Sequence, residues 1–371
     1  MTSAGFSEQR SVEQTQFVIE AVRRRFVVTQ EYLREGQALE FYLDQNQKET
    51  KQSFLSLLDE LGKTGDSAIL RNTDHGLLLI VFRKLVQKKE RRLNRPLILL
   101  IATVITIFAD GVFRAYGYSD QGSPLSLTQD FNTAMIYTVA LLGIIGIHEM
   151  GHKVASWYHK MDSSWPYFIP GIPSVWPTMG AFISAREPPR NKDSLFDLGL
   201  SGPIAGLIVT IIVSFFAVAS ASAHPTGVDY YTSFLSSLLV KGNQSSGYWH
   251  AGPTFSVLYF GYSIGFLLTF VNLLPAWQLD GGHISNSFVS PRAHRYLTWA
   301  SAVIMVLAGF WLMAFLVIFL AGKAPALRPL DDVSKLSSRR KFLFWLTWIL
   351  SATIYLFTIY GNGYFGITQV L

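Results

Sequence analysis

The His-Glu-Met-Gly-His motif at residues 148–152 has the residue types and the spacing of a metal-binding helix. Residues four apart lie on one face of an α-helix, so His148 and His152 can bind one cation while Glu149 points to a neighbouring sector. Two imidazoles of this kind hold Zn²⁺, and the adjacent carboxylate can take a proton from a zinc-bound water whose pKa has fallen to about 7. The motif therefore predicts a zinc hydrolase. The alternative is a helix end at which both histidines only hydrogen-bond to neighbours.

The stretch before the motif, from Phe131 to Ile147, carries no charge and is long enough to lie in a lipid bilayer. The whole composition fits a membrane protein, because 50% of the residues are hydrophobic and only 15% are charged. Ionisable groups within a membrane face a protein interior or a water-filled cavity. We therefore expect the predicted metal centre to be buried.

Other features of the sequence exclude some kinds of covalent link, targeting signal and partner. Cysteine is absent, which excludes disulfides and thiolate ligands. The first 20 residues lack the apolar core of a signal peptide, so we expect no cleaved export signal. The net charge is +6, but the basic residues cluster beside apolar stretches, where they set membrane topology. We therefore expect no nucleic-acid partner.

Residues 1–90 are expected to form a small soluble α/β domain, because helical and β-rich stretches alternate there in the order αββαββ. That order predicts a four-stranded sheet covered by two helices. The stretch shows no phosphate-binding loop and no metal-ligand cluster, so the role we expect is regulation or substrate docking. Residues 83–95 carry seven basic side chains and one acidic side chain, which predicts that the domain is cytoplasmic.

Residues 96–362 are expected to form a polytopic α-helical membrane domain with about six transmembrane helices. The predicted spans are 97–116, 131–158, 196–221, 255–277, 296–321 and 342–360. Loop charges agree with alternating sides except at 323–341, which is basic although it should be external. Either the charge rule fails there, or residues 296–321 form a tight hairpin interrupted at Gly309. A length of about 26 residues favours one tilted helix, so we predict a single span.

The end of the predicted fourth span offers a third metal ligand. Pro275 cannot continue a helix, and Gly281 and Gly282 permit sharp turns, so the backbone is expected to open here. Within a membrane, non-helical backbone occurs only where protein or water surrounds it. We therefore expect Asp280, which follows this stretch, to be buried in protein or to face a water-filled cavity. Asp280 can then be the third zinc ligand, with the fourth position left to water. The alternative is a kinked helix terminus at which this aspartate caps another group.

The two motifs together resemble those of the site-2 protease family of intramembrane zinc metalloproteases. One is the His-Glu-x-x-His pattern at residues 148–152, and the other is an Asn-x-x-Pro-x-x-x-x-Asp-Gly pattern at residues 272–281. The resemblance covers the predicted catalytic core, residues 131–284. Gly202 and Gly206 also resemble a small-residue span of that family, where we expect them to allow close helix packing.

The resemblance implies a cofactor and a set of residue roles. It implies one Zn²⁺ per chain and Glu149 as the catalytic base, with three metal ligands: His148, His152 and Asp280. It implies hydrolysis of peptide bonds within membrane-embedded proteins. It also implies that Asn272 and Pro275 contribute to substrate binding.

Residues 165–183 combine prolines with aromatic side chains, so they are too broken for a helix and too apolar for a solvated loop. They predict a re-entrant β-loop that is similar to one in the family. Its last residues, Gly180, Ala181 and Phe182, are candidates for substrate binding, because an open strand edge can pair with any unwound peptide. The alternative is an aromatic anchor in the membrane interface.

Further ionisable residues lie near the predicted spans. Asp110 and Arg114 are one helical turn apart, so we expect them to neutralise one another. His283 follows Asp280 closely enough to orient it. His294 is expected at a membrane interface.

The sequence therefore predicts an intramembrane zinc metalloprotease in a multi-pass protein of the cell membrane. Its expected partners are transmembrane protein substrates and the lipid bilayer. The main alternative is a transporter or channel that uses the same His, Glu and Asp side chains as an ion or proton site. Such a metal-free site would bind no stoichiometric zinc. A second alternative is an inactive relative that only binds membrane proteins, and the intact motif counts against it.

Overall fold

The computed structural model describes most of the chain and divides it into two compact units. The first unit contains Met1–Arg91 together with Pro188–Leu195 and Leu327–Ser337, and the second contains the other residues. The described residues are 11–34, 38–44, 50–74, 76–84, 94–117, 127–220, 222–223, 249–250, 253–323 and 326–361.

Helices and strands of the first unit follow the order α1 (Val12–Arg23), β1 (Val28–Arg34), β2 (Ala38–Leu43), α2 (Thr50–Leu61), β3 (Asp66–Thr73) and β4 (Gly76–Arg83). The strands form one antiparallel sheet in the order β1-β2-β4-β3. Successive side chains of a strand point to opposite faces, so Leu39, Phe41 and Leu43 of β2 are all buried on one side. Phe54 and Leu57 of α2 complete this apolar core.

Two segments from later in the chain are part of the first unit. Leu330 lies in the same apolar core as Leu70, and its carbonyl oxygen accepts a hydrogen bond of 2.9 Å from the Leu70 amide. In the other segment, Arg190 pairs with Asp59 across 2.6 Å. The core of this unit therefore includes residues far beyond position 90.

The rest of the chain is mainly helical. Its helices are α3 (Asn94–Gly117), α4 (Leu127–Tyr158), α5 (Lys192–Ser220), α6 (Pro253–Leu273), α7 (Asp280–Phe288), α8 (Pro291–Leu307), α9 (Trp311–Lys323) and α10 (Ser338–Gly361). Two small antiparallel sheets pair β5 (Tyr167–Ile172) with β6 (Trp176–Phe182), and β7 (Ser222–Ala223) with β8 (Trp249–His250).

Among the described residues, three helices are long and apolar enough to cross a membrane: Asn94–Tyr116, Asp130–Tyr158 and Lys192–Ala217. Two shorter apolar helices are Val257–Leu273 and Trp311–Lys323. The fold is thus mainly helical, with candidate membrane spans and a small sheet region.

An apolar core shared by α3, α4 and α6 fixes the helix that carries the His-Glu motif. Tyr137 and Leu141 of α4 are fully buried together with Ile107 of α3 and Val257 of α6. Gly111 of α3 permits this approach, because a Cβ atom there would lie 2.8 Å from the Tyr137 ring. The small residue therefore sets how closely α3 and α4 pack.

The prediction of one span over residues 296–321 is wrong. The α8 helix ends at Leu307 and α9 begins at Trp311, and Gly309 between them has a φ of 87°. That backbone conformation favours glycine, so Gly309 accounts for the break. The two helices pack against one another, as in the hairpin alternative. Length alone did not distinguish the two cases, because both halves are apolar.

The packing of Leu330 into the first unit can be tested by substitution. Leu330→Ala should destabilise this unit by about 2–4 kcal/mol, because it removes a buried leucine side chain and leaves a cavity. Thermal unfolding in detergent would measure the change. Leu33→Ala is the control, since Leu33 is 71% exposed and a surface change should cost within about 0.5 kcal/mol. Equal effects of the two substitutions would contradict the packing.

Candidate metal centre

The α4 helix presents His148 and His152 on one face, as their spacing requires. Their Nε2 atoms lie 3.2 Å apart. The neighbouring α5 helix approaches closely at Gly151, where a Cβ atom would lie 2.5 Å from the carbonyl oxygen of Ser201. Small residues therefore bring a second helix against the two rings.

Asp280 joins the two histidines from a different part of the chain. Its Oδ2 atom lies 3.2 Å from His148 Nε2, and its Oδ1 atom lies 3.3 Å from His152 Nε2. The α6 helix ends at Leu273, and the backbone runs without regular structure until α7 begins at Asp280 itself. The backbone thus opens around Pro275 as expected, and the opening carries the carboxylate to α4.

The spacing and chemistry of these three side chains fit zinc. Ligand atoms about 2.0–2.1 Å from a tetrahedral zinc lie about 3.3–3.4 Å from one another. The two Nε2 atoms lie 3.2 Å apart, and each lies 3.2–3.3 Å from a different carboxylate oxygen of Asp280, so one ligand atom from each residue lies within 4.8 Å of the others. The buried Oδ2 atom of Asp280 has no hydrogen-bond partner within the described structure, so a cation would satisfy it. Two imidazole nitrogens and one carboxylate oxygen are a usual ligand set of catalytic zinc, with one position left open.

A backbone carbonyl orients one of the two rings. Nδ1 of His152 lies 2.7 Å from the carbonyl oxygen of Leu198 in α5. A carbonyl only accepts, so Nδ1 carries the proton and the Nε2 lone pair faces the metal position. No sequence pattern predicts this contact, because every residue has a carbonyl group.

Two glycines of α5 clear space for the histidine rings. A Cβ atom on Gly202 would overlap the Nε2 atom of His152. A Cβ atom on Gly206 would lie 3.0 Å from Nδ1 of His148. Both residues were expected to allow close helix packing. Gly202 also keeps space free around Nε2 of His152.

Glu149 is buried beside the two histidines, with 6% of its surface exposed, and the backbone N–H of Ile183 donates to its carboxylate. The next residue, Ser184, faces Ser164 instead, because its carbonyl oxygen and amide bond to that residue, each at 2.9 Å. Ile183 directly follows the last residue of β6, so Glu149 lies next to the end of that strand.

The predicted substrate-binding residues occupy two places. Asn272 lies at the centre, with its Nδ2 atom 3.4 Å from His148 Nε2. Pro275 lies in the open stretch before Asp280. The others, Gly180, Ala181 and Phe182, belong to β6, where Gly180 has a φ of 92° and Phe182 stacks on Tyr167. Their substrate-binding roles stay predictions.

The sharp turns assigned to Gly281 and Gly282 are wrong. Both residues lie in the first turn of α7, in helical backbone. Side chains are excluded there by close approach, because a Cβ on Gly281 would overlap the carbonyl of Leu273 and one on Gly282 would overlap the carbonyl of Trp277. The glycines thus let the start of α7 fold back on the end of α6.

The side chain of His294 is buried, and its expected position at a membrane interface stays a prediction. Its Nδ1 atom lies 3.0 Å from the hydroxyl of Ser285, and its Nε2 atom lies 3.2 Å from the carbonyl oxygen of Trp277. The amide of Trp277 donates to the hydroxyl of Thr298 at 3.0 Å. The α8 helix therefore holds the linker that precedes Asp280. A lone histidine in an apolar helix gave no signal of this role.

His283, predicted to orient Asp280, lies three residues further along α7. A Cβ atom on Gly199 would lie 3.0 Å from the Cβ of His283, so this residue packs against α5. Its orienting role stays a prediction.

Gly202→Ala tests whether this position keeps the metal site clear. We expect the variant to lose most of its bound zinc, because the added methyl group overlaps the Nε2 atom of His152. Zinc content per purified, folded chain is the measurement. Gly143→Ala on α4 is the control, since its Cβ atom would meet only Val209 at an ordinary 3.8 Å. Full zinc content in Gly202→Ala would contradict the account.

Comparison with known proteins gives matches to this part of the chain. Residues 136–316 match the sequence model of peptidase family M50. The chain is 27% identical over 235 residues to "Probable zinc metalloprotease EGY1, chloroplastic" of Arabidopsis thaliana, which covers 59% of this chain and 42% of that protein. It is 24% identical over 177 residues to "Probable zinc metalloprotease EGY2, chloroplastic" of the same plant, covering 45% and 31%.

The chain thus spans less than half the length of these curated relatives. Their names describe zinc enzymes, and the matched region includes all three side chains of the candidate metal centre. The geometry of His148, His152 and Asp280 agrees with the match of residues 136–316 to peptidase family M50, the site-2 protease family.

Proposed function

We propose that this chain is an intramembrane zinc metalloprotease that hydrolyses peptide bonds of membrane-embedded proteins. The main support for the proposal is that His148, His152 and Asp280 lie close together, next to the buried carboxylate of Glu149. The M50 match and the names of the relatives support it. Nothing in the comparisons supports a transporter or channel.

Bound zinc would supply Lewis acidity, which polarises the scissile carbonyl and lowers the pKa of a water. Glu149 takes a proton from the attacking water and passes it to the leaving nitrogen. The hydrogen bond that His152 Nδ1 donates to the carbonyl oxygen of Leu198 holds the ring in the tautomer that can bind the metal. The amide of Asn272 lies beside His148, where it can donate to an incoming carbonyl.

We propose that the substrate is presented as an extended strand at the open edge of β6. The β5 strand lies along α3 and pairs with β6 on its other side. Main-chain pairing recognises a peptide irrespective of its sequence and holds it unwound. Gly180, Ala181 and Phe182 lie in this strand, and the contact between Ile183 and Glu149 supports a position for the base at the same edge.

We also propose a multi-pass topology in which α8 and α9 form a hairpin that enters and leaves the membrane on the same side. With 17 and 13 residues, these helices are shorter than the roughly 20 residues that a full span needs. Residues 323–341 then lie on the same side of the membrane as residues 153–192, which form another basic loop of the sequence. The charge rule favours this arrangement. Segments of both loops belong to the first unit, which supports a shared cytoplasmic side.

For the location of the whole protein, we propose the cell membrane. The relatives are named as chloroplastic, which is a property of those proteins. For the first unit, we propose regulation or substrate docking. The apolar core of this unit includes Leu330, which lies between α9 and α10 in the sequence.

Glu149→Gln tests the proposed reaction. The variant should keep one zinc per chain, because the three proposed ligands are unchanged. Cleavage of single-span model substrates in liposomes should fall by about 100- to 10,000-fold, the usual contribution of a positioned acid or base. Metal analysis and product detection on the same preparations provide the measurement.

His148→Ala is the matched control, and it should lose both the zinc and the cleavage. Two results would refute the proposed function: a wild-type chain that binds no zinc, or Glu149→Gln cleavage at the wild-type rate. The first of these is the result expected for a metal-free transport site.

A further inference from the structure

The carboxylate of Asp110 in α3 is the centre of a polar cluster that lies outside the metal centre. It is fully buried, and its Oδ2 atom accepts hydrogen bonds from Arg114 at 2.7 Å and from the Tyr137 hydroxyl at 2.8 Å. Its Oδ1 atom accepts a bond of 2.8 Å from the backbone N–H of Ser174. The pairing expected for Asp110 and Arg114 is thus confirmed, and the bond to Ser174 is additional. Ionisable groups inside a membrane are costly, so such a residue needs a reason to be there.

Ser174 lies at the tip of the hairpin formed by β5 and β6. It has a φ of 69°, which is unusual for a residue other than glycine. One turn before Asp110 on the same helix, the hydroxyl of Thr106 shares its proton between the carbonyl oxygens of Pro177 at 3.1 Å and Thr103 at 3.0 Å. Two side chains of α3 therefore hold the tip of the hairpin.

The base of the same hairpin is held by α4. The Lys153 ammonium donates to the carbonyl oxygens of Ser163 at 2.6 Å and Ser164 at 3.2 Å. Lys153 directly follows His152, so the helix that carries two metal ligands also fixes the base of the hairpin. These contacts at both ends oppose sliding of the hairpin along α3.

We propose that Asp110 is a positioning residue that sets the depth of β6 and thereby selects which peptide bond of a paired substrate reaches Glu149. A strand advances about 3.3 Å per residue, so a shift of that size would present the next bond. The inference rests on the proposed protease function and adds to it a determinant of the cleavage position.

Asp110→Asn separates this role from a general contribution to folding. Arg114 and the Ser174 amide both donate, and they approach different oxygens of Asp110. An asparagine amide has one oxygen and one NH₂ group, so it can accept from only one of these two donors. The charged Arg114 keeps the oxygen, because a hydrogen bond from a cation is the stronger one, and the NH₂ group then faces the Ser174 N–H. Arg114 also lies 3.4 Å over the ring of Phe260, which leaves its charge a partner in the variant.

Spin labelling reports the hairpin independently of catalysis. The chain contains no cysteine, so Val175→Cys gives a single labelling site beside Ser174, at a position that is 63% exposed. In the labelled protein, Asp110→Asn should narrow the nitroxide spectrum, which indicates a more mobile tip. Thr106→Val should do the same, since it removes the second tip contact without disturbing a charge.

Tyr137→Phe is the matched control. It removes one bond to Asp110 and leaves the bond to Ser174, so the spectrum should stay as in the wild type. Products are mapped by mass spectrometry in the same variants. Asp110→Asn should reduce cleavage at the wild-type bond by at least about 100-fold, because a misplacement of only about 1 Å can cost that much, and should add products cut at neighbouring bonds. Zinc content should not change.

Each outcome decides the proposal. Equal mobility of the tip in wild type, Asp110→Asn and Thr106→Val would overturn it, as would equal loosening by Tyr137→Phe. A loosened tip that leaves the cleavage position unchanged would also overturn it. If the wild type cuts no substrate, the proposed function fails and the depth-setting role fails with it, while the spectra still show whether Asp110 holds the tip.

Discussion

The structure depends on one buried cluster of three side chains, in which the Asp280 carboxylate lies next to the imidazoles of His148 and His152. A carboxylate taken out of water is strongly destabilised unless charge and hydrogen bonds compensate for the loss. In this site, Oδ2 of Asp280 is buried and lacks a hydrogen-bond partner among the described residues. A divalent cation between the three side chains offsets that cost, which is why the packing around them serves metal binding.

The surrounding helices contribute mostly through backbone and small residues. In α5, the carbonyl of Leu198 orients one ring and Gly202 leaves room for it. From α8, His294 and Thr298 hold both backbone groups of Trp277, three residues before Asp280. The metal centre is therefore supported by elements that do not themselves supply a ligand.

Much of the centre could be predicted from the sequence, because spacing in a helix and a proline-broken apolar run have direct geometric meaning. The family match and the observed grouping support zinc as the cofactor. The support from Leu198 and His294 could not be predicted, since it depends on which backbones come within a few ångströms of each other. The same limit explains the errors at Gly281, Gly282 and Gly309, where the pattern allowed two backbone paths.

X-ray absorption spectroscopy at the zinc edge of the purified wild-type chain can show whether His148, His152 and Asp280 share one cation. We expect one zinc per chain, with two imidazole nitrogens at about 2.0–2.1 Å and a carboxylate oxygen at about 2.0–2.2 Å. A zinc shell without imidazole scattering, or one that is unchanged when Asp280 is replaced by alanine, would contradict this expectation.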